Sequence, residues 1–227
     1  MTFKKSLFIL LLLLTAGLLS ACSGSGFAST SWPGITASED RVYVASGNHV
    51  YSLQAAGGAL IWRYPAAAER GVSFFAAPAL TPDSQVIAGG YDRKLYSLDA
   101  QSGASNWVFE EATNHYIAGP VVIENSIFAP NSDGNLYAVD LAGKALWPAP
   151  YQTSQALWAA PTVNATTLYL PGLNHQLFAI QAATGKVVWG PLDLDGAMVG
   201  TPALSEDGIL YVGTFENDLR ALRAGTG

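Results

Sequence analysis

The sequence predicts an all-β fold, a β-propeller of four-stranded antiparallel blades, from three features that recur every 40 to 45 residues. A proline opens each unit, an apolar-aromatic pair follows, and a glycine then precedes a tryptophan by four positions. The glycine and tryptophan pairs are Gly58/Trp62, Gly103/Trp107, Gly143/Trp147 and Gly185/Trp189. Self-similarity at this period, with several short strands in each unit, is typical of a β-propeller.

Each unit has the pattern of four strands. The first follows the proline, which is tolerated where a strand begins. The second is a β-branched and aromatic run, and turn residues lead into the third, such as Leu95–Asp99, whose alternation predicts one buried face. The fourth strand carries the tryptophan. The units begin near residues 33, 78, 120, 161 and 202, so residues 33–227 form the predicted propeller domain.

The fifth unit reaches Gly227, four residues before the position at which the period predicts its tryptophan. We therefore expect four full blades and an incomplete fifth, arranged as an open arc or a strained five-blade ring. Unpaired strand edges in such an arc invite pairing with other chains. The same pattern is what the N-terminal part of a longer propeller would show.

The tryptophan series is predicted to pack between neighbouring blades. A buried tryptophan removes roughly 150 to 250 Å² from water, an upper-bound stabilisation of about 4 to 6 kcal/mol. The glycine supplies the positive φ that the preceding turn requires. A role for these tryptophans in stacking on a sugar or a cofactor is the less favoured interpretation.

Residues 1–21 are predicted to be a lipoprotein signal peptide. Lys4 and Lys5 precede an apolar run that is too short for a stable membrane span. The run ends in Leu-Ser-Ala-Cys22, which resembles the lipobox of bacterial lipoproteins; an ordinary signal peptide with an incidental cysteine is the alternative. Residues 22–32 would then be the lipidated Cys22 and a flexible tether. Cys22 is the only cysteine, which excludes an internal disulfide.

Anchoring by two or more acyl chains is stable where one chain is marginal. We therefore expect a membrane-anchored lipoprotein on the periplasmic or extracellular side of the cell envelope. Ser23 lacks the Asp-type signal for inner-membrane retention, which favours the outer membrane if the host has one.

Signal cleavage leaves nine basic and seventeen acidic residues, a net charge of −8. Because binding to phosphate needs clustered Lys and Arg, which this chain lacks, nucleic acid is excluded as a partner. Charged residues are 12% of the chain and apolar residues 50%, a composition that suits an all-β body with much buried sheet.

The segment Ala182–Trp189, together with its counterparts after the third strands, resembles the tryptophan-docking repeat of quinoprotein (PQQ-like) propellers. The resemblance covers residues 33–227. It departs from the usual pattern where Asp140–Gly143 is one residue short and where Gln54 and Gln181 replace Asp. Two kinds of relatives share this blade: periplasmic dehydrogenases that bind pyrroloquinoline quinone, and non-catalytic lipoproteins similar to the BamB subunit of outer-membrane β-barrel assembly. The fold alone does not choose between them.

For the quinone enzymes, the resemblance implies a cofactor stacked between a tryptophan and a disulfide of adjacent cysteines, beside calcium and a catalytic Asp. This chain has no cysteine besides Cys22 and no acidic cluster spaced as a calcium loop. We therefore expect no catalytic residues, no metal and no PQQ. His49, His115 and His175 fall on separate units and are interpreted as exposed turn residues.

The residues just before each opening proline are predicted to surround the mouth of the central channel. They are Phe74 and Phe75, His115 and Tyr116, Leu157 and Trp158, and Met198 and Val199. A ring rich in aromatic residues and methionine can hold an apolar ligand or an extended peptide. Phe74, Phe75, Tyr116, Trp158 and Met198 are therefore the predicted partner face; the alternative is that these residues plug the channel as core.

The predicted function is that of a non-catalytic, lipid-anchored, extracytoplasmic scaffold for other proteins. Its most concrete form is an accessory role in outer-membrane protein assembly, with partners bound by β-augmentation or by the aromatic face. The alternatives are a fragment of a PQQ-dependent dehydrogenase-like enzyme and a receptor for a small ligand or glycan.

Overall fold

The computed structural model describes residues 34–164 and 166–227, which contain nineteen β-strands in five antiparallel sheets. The predicted signal peptide, Cys22 and the tether lie outside the described residues. Within the described ranges there is no helix with the length and apolarity to cross a bilayer. The predicted all-β fold is confirmed.

Each sheet is one predicted blade, and its strands pair in chain order. Blade I contains β1 (Gly34–Ala37), β2 (Arg41–Ser46), β3 (His49–Gln54) and β4 (Leu60–Tyr64). Blade II contains β5 (Ala79–Leu80), β6 (Gln85–Gly89), β7 (Leu95–Asp99) and β8 (Ser105–Phe109). Blade III contains β9 (Val121–Ile123), β10 (Ser126–Pro130), β11 (Asn135–Asp140) and β12 (Tyr151–Gln152). Blade IV contains β13 (Thr162–Val163), β14 (Thr167–Pro171), β15 (Gln176–Gln181) and β16 (Val187–Asp193). Blade V contains β17 (Ala203–Leu204), β18 (Ile209–Gly213) and β19 (Leu219–Arg223).

The core lies between the blades, because alternate residues of a strand point to opposite faces of its sheet. In β7, Tyr96 and Leu98 pack with blade I, whereas Leu95 packs with blade III. The described residues form four such apolar clusters, one at each junction between consecutive blades. Strand β6 is accordingly buried along its whole length, whereas β19 in blade V is buried at no position.

Blade III departs from the predicted pattern at its outer strand. In blades I, II and IV the outer strand carries the tryptophan, as predicted. Trp147 instead lies in an irregular segment, and the outer strand is reduced to Tyr151–Gln152. Pro148 and Pro150 explain the difference, since proline has no N–H to donate to a sheet ladder. The prediction of a fourth strand that carries Trp147 is therefore wrong.

One end of the blade series, which we call the linker face, collects two kinds of loop. The linkers join the outer strand of one blade to the inner strand of the next, and the hairpins join the second and third strands within a blade. The inner strands begin at this face and lie close together: β5 contacts β9, and β13 contacts β17. A Cβ added at Gly119, just before β9, would lie 2.8 Å from the carbonyl oxygen of Ala77, just before β5.

Candidate partner-binding face

The indole of each predicted docking tryptophan donates a hydrogen bond to a backbone carbonyl of the following blade. The pairs are Trp62 with Ala100 at 3.0 Å, Trp107 with Leu141 at 2.8 Å, Trp147 with Ala182 at 3.0 Å and Trp189 with Ala224 at 2.8 Å. Because the acceptors lie in the turn before the next blade's outer strand, each tryptophan joins two blades.

The glycine beneath each indole also belongs to the following blade. A Cβ would lie 2.6 Å from Trp62 at Gly103, 2.7 Å from Trp107 at Gly143 and 2.9 Å from Trp147 at Gly185. Gly58 has the same left-handed conformation, with φ of +70°, but a Cβ there would have no atom within 4 Å among the described residues. The glycine and tryptophan that recur within one unit are therefore not the pair that touches.

Every linker contains one buried anchor residue whose backbone N–H is bonded to the hairpin of the preceding blade. The bonds run from Phe74 to Gly47 at 2.7 Å, Tyr116 to Gly90 at 3.2 Å, Leu157 to Asn131 at 3.2 Å and Met198 to Gly172 at 3.4 Å. The exposed fractions of the four side chains are 0%, 1%, 0% and 0%. Phe74, Tyr116 and Met198 are thus interior residues that pack between blades, and their assignment to the accessible partner face is corrected.

The residue after each anchor is accessible, because an extended chain alternates its side chains. Phe75 and Ile117 are half-buried, whereas Trp158 is 44% exposed and Val199 is 37% exposed. Of the predicted partner face, the structure therefore leaves Phe75 and Trp158 accessible. His115, which precedes the anchor Tyr116, is exposed as well.

Three hairpin residues that the sequence analysis did not single out also belong to this face. Their backbone N–H groups bond to the linker that enters their blade: Tyr91 to Ser73 at 2.8 Å, Leu173 to Ala156 at 3.4 Å and Phe215 to Ala197 at 3.0 Å. The signal that could have found them is an apolar side chain inside a turn otherwise made of glycine and polar residues. Each linker is thus bonded to the hairpins on both of its sides.

Aromatic rings cluster where the first two linkers flank the hairpin of blade II. Phe75 meets Tyr91 edge-on with ring centroids 4.5 Å apart, and Tyr91 stacks on His115 at 4.6 Å with the two planes 5° from parallel. A ring nitrogen of His115 also hydrogen-bonds the Tyr91 carbonyl. We call these three residues the aromatic stack. Trp158 forms no aromatic pair among the described residues.

Carboxylates hold two hairpins, the one in blade II that carries Tyr91 and the one in blade III next to it. Tyr96 donates a hydrogen bond to Asp92, and Tyr137 donates one to Asp133 at 2.8 Å. Burial first, and then the bond to the carboxylate, raises the pKa of both tyrosines above its usual value. Thr113, in the linker, donates its N–H to the same Asp133 at 2.9 Å. These hydrogen bonds to carboxylates therefore fix the loops that present the stack.

The charged groups beside the aromatic stack carry both signs. Lys94 pairs with Glu110 at the rim, and Arg93 is exposed on the same hairpin. Aromatic and Arg side chains bordered by solvated polar groups are characteristic of protein interfaces. The arrangement therefore suits recognition of another protein.

The resemblance to the quinone enzymes implies a calcium site and a disulfide of adjacent cysteines beside the cofactor. Nowhere in residues 34–164 and 166–227 do three His, Cys, Asp or Glu side chains group so as to hold a metal ion. The sequence supplies no second cysteine for the disulfide that the resemblance implies.

A sequence model of the family described as outer membrane protein assembly factor BamB matches residues 18–157 and 133–227. A polyvinylalcohol dehydrogenase from Pseudomonas sp is 27% identical over 77% of this chain and 28% of its own length. The assembly factor BamB from Yersinia pestis is 25% identical over 77% of this chain and 46% of its own length. The chain thus spans less than half the length of either of these curated relatives.

Solved structures share the fold. The crystal structure of BamB from Moraxella catarrhalis superposes with a TM-score of 0.70 at 22% identity, covering 84% of this chain and 60% of that one. The computationally designed Ika8 protein superposes with a TM-score of 0.72 at 12% identity, covering 83% of this chain and 57% of that one. With the five antiparallel sheets, these likenesses confirm the predicted partial propeller.

Proposed function

Because the chain belongs to the BamB family of outer membrane protein assembly factors, we propose that it is a non-catalytic scaffold that binds other proteins during outer-membrane protein assembly. In this proposal Cys22 is acylated and anchors the chain to the envelope membrane. The observation that carries the binding role is the aromatic stack of Phe75, Tyr91 and His115 on the linker face.

The stack suits binding because its rings are held in place before a partner arrives. The hairpin that carries Tyr91 is bonded to a linker on each side, through Tyr91 to Ser73 and through Tyr116 to Gly90. Affinity rises when contact residues do not have to be ordered on binding. Aromatic side chains supply large contact area with few rotatable bonds.

Site-specific crosslinking in the host envelope tests the binding role. A photoreactive amino acid at Tyr91 is expected to give defined adducts with envelope proteins. The same probe at Lys186, exposed in a turn at the opposite end of the strands, is the matched control and is expected to give none. Equal adducts at the two positions, or no adducts at either, contradict the assignment of this face.

A variant of the face tests the assembly role. In a strain that lacks the native chain, the wild-type protein is expected to restore the level of folded outer-membrane β-barrel proteins. The double variant Phe75→Ala, Tyr91→Ala is expected to restore less while accumulating to the same level, because both side chains are only half-buried. Full restoration by this variant contradicts the role of the stack.

The likeness to polyvinylalcohol dehydrogenase supports an enzyme as the second candidate. It predicts that added pyrroloquinoline quinone and calcium give the chain a visible absorbance band and alcohol oxidation. A scaffold shows neither, so this titration separates the two candidates.

A further inference from the structure

Four accessible apolar side chains lie on successive loops of the linker face in blades III to V. They are Trp158, Leu173, Val199 and Phe215, which we call the apolar strip. Leu173 is half-buried, and the other three are exposed by 44%, 37% and 65%. Backbone hydrogen bonds join these loops in series. The Leu173 N–H bonds the linker that carries Trp158, the Met198 N–H bonds the hairpin that carries Leu173, and the Phe215 N–H bonds the linker that carries Val199.

The loops around the first half of this strip carry little charge. The linker of residues 153–161 contains no Asp, Glu, Lys or Arg, and in the hairpin of residues 171–176 His175 is the only titratable residue. At the far end, Asp195 and Asp218 both pair with Arg220. The strip therefore offers apolar contact without a basic patch for anionic groups.

The described chain also begins at the linker face. A Cβ added at Gly34, the first residue of β1, would fall 1.9 Å from the backbone nitrogen of Ala77, which lies in the linker between blades I and II. The described chain therefore enters blade I on the same face as the apolar strip. Eleven residues separate Cys22 from Gly34, and a chain of this length spans at most about 40 Å when fully extended.

From this placement we infer that the linker face lies toward the membrane that holds the anchor, and that the apolar strip contacts the lipid interface. The inference rests on the proposed acylation of Cys22. Tryptophan and phenylalanine favour the interfacial region of a bilayer, and apolar area buried there adds to the hold of acyl chains. The described loops of the strip carry no basic cluster, and the full sequence has a net charge of −6; both favour zwitterionic lipid over anionic lipid.

Depth-dependent quenching tests the orientation. Cys22 is the only native cysteine, and acylation consumes its thiol, so one new cysteine can be labelled selectively in the acylated full-length chain. The variants Phe215→Cys and Lys186→Cys carry the same environment-sensitive dye in vesicles of phosphatidylcholine with a spin-labelled lipid. We expect a blue shift and at least twofold quenching at position 215, and neither at position 186. Equal quenching at the two positions overturns the inference.

Two further measurements separate this inference from its premise. If the acylated chain sediments with vesicles no better than Cys22→Ala, the anchor fails and the inference falls with it. If the acylated chain sediments with vesicles but position 215 stays unquenched, only the orientation fails. Replacing Trp158 and Leu173 with serine is expected to reduce quenching at position 215 by at least half without releasing the chain. Should the dye at 215 respond only when purified envelope proteins are added, a protein covers the strip and the inference is overturned.

Discussion

Replacing Gly103 with alanine measures how far the fold depends on tryptophan docking. Gly103 adopts φ of +73°, where an alanine costs about 1 to 2 kcal/mol. Its Cβ would also lie 2.6 Å from Cδ2 of Trp62, closer than such atoms approach. Gly58 is the matched control, because its φ is +70° and a Cβ there meets no described atom within 4 Å.

The loss in free energy of unfolding can be worked out from the contacts that Trp62 loses. To make room, the indole must withdraw from the turn and lose its hydrogen bond to Ala100, about 0.5 to 1.5 kcal/mol. Re-exposure of roughly 50 Å² of the ring adds about 1 kcal/mol at 25 cal/mol per Å². We expect Gly103→Ala to lower the free energy of unfolding by about 3 to 5 kcal/mol and Gly58→Ala by about 1 to 2 kcal/mol.

Equilibrium unfolding in guanidinium chloride, followed by circular dichroism, gives both free energies by linear extrapolation. In a Trp62→Leu background the difference between the two glycine variants should shrink to within about 0.5 kcal/mol, because the clash then has no indole. If Gly103→Ala and Gly58→Ala are equally destabilising with Trp62 present, the docking argument is refuted.

Three further predictions concern the core beneath the linker face. Gly89→Ala should lower the free energy of unfolding by about 1 to 3 kcal/mol, because the new Cβ would lie 2.5 Å from the Cβ of Tyr116. Gly213→Ala is the control, because Gly213 has the equivalent position in β18 and a Cβ there meets no described atom within 4 Å. It should change the free energy of unfolding by less than about 1 kcal/mol. Tyr116→Phe should leave the free energy of unfolding unchanged or raise it by about 1 kcal/mol, since the buried hydroxyl has no hydrogen-bond partner among the described residues. Tyr137→Phe should lower it by about 1.5 kcal/mol, because this variant loses a hydrogen bond to the carboxylate of Asp133. Burial raises the pKa of Tyr96, Tyr116 and Tyr137 in the folded chain, so the unfolded chain releases these phenol protons at lower pH. The free energy of unfolding should therefore fall as the pH rises above about 10. Unfolding titrations between pH 8 and 11 should show a shallower fall for Tyr116→Phe than for the wild type, and an identical fall would contradict this prediction.

The blades could be predicted from the sequence because their information is local. The apolar-aromatic pair at the start of each third strand alternates with period two, and the turn before each outer strand needs positive φ, as at Gly103 and Gly185. Both requirements act within a few residues and repeat with every blade. The prediction of a regular outer strand at Trp147 in blade III was wrong because Pro148 and Pro150 lack the backbone N–H groups that a sheet ladder needs. The repeat pattern alone does not take these two prolines into account.

The contacts between blades could not be read from the period in the same way. Trp62 is four residues from Gly58 in the sequence, yet it rests on Gly103. A period reports which residues are equivalent, whereas a docking contact joins non-equivalent residues of successive units. The choice of neighbour depends on which side of the blade the indole leaves, and that is set by strand register.

The same limit explains the mixed outcome for the predicted partner face. Phe74 and Phe75 are equally apolar, but only the anchor's N–H bond to Gly47 decides which of them turns inward. Tyr91 was missed because its partner lies in another loop, eighteen residues earlier at Ser73. The position of Phe74 and Phe75 before an opening proline predicted that both lie at the linker face, but it did not predict which side chain is accessible.

The alternation between the buried anchor residue of each linker and the accessible residue after it also separates the two surfaces that we propose. The fold requires a large apolar side chain at each buried anchor residue, whereas the residue after it can differ from linker to linker. Phe75 belongs to the aromatic stack, and Trp158 belongs to the apolar strip. Protein binding and lipid contact should then be separable by substitution. Tyr91→Ala is expected to abolish crosslinks from a probe at His115 while leaving lipid quenching at position 215 intact. Trp158→Ser is expected to do the reverse. If either substitution impairs both measurements equally in a chain that remains folded by circular dichroism, the linker face is a single surface and the division is wrong.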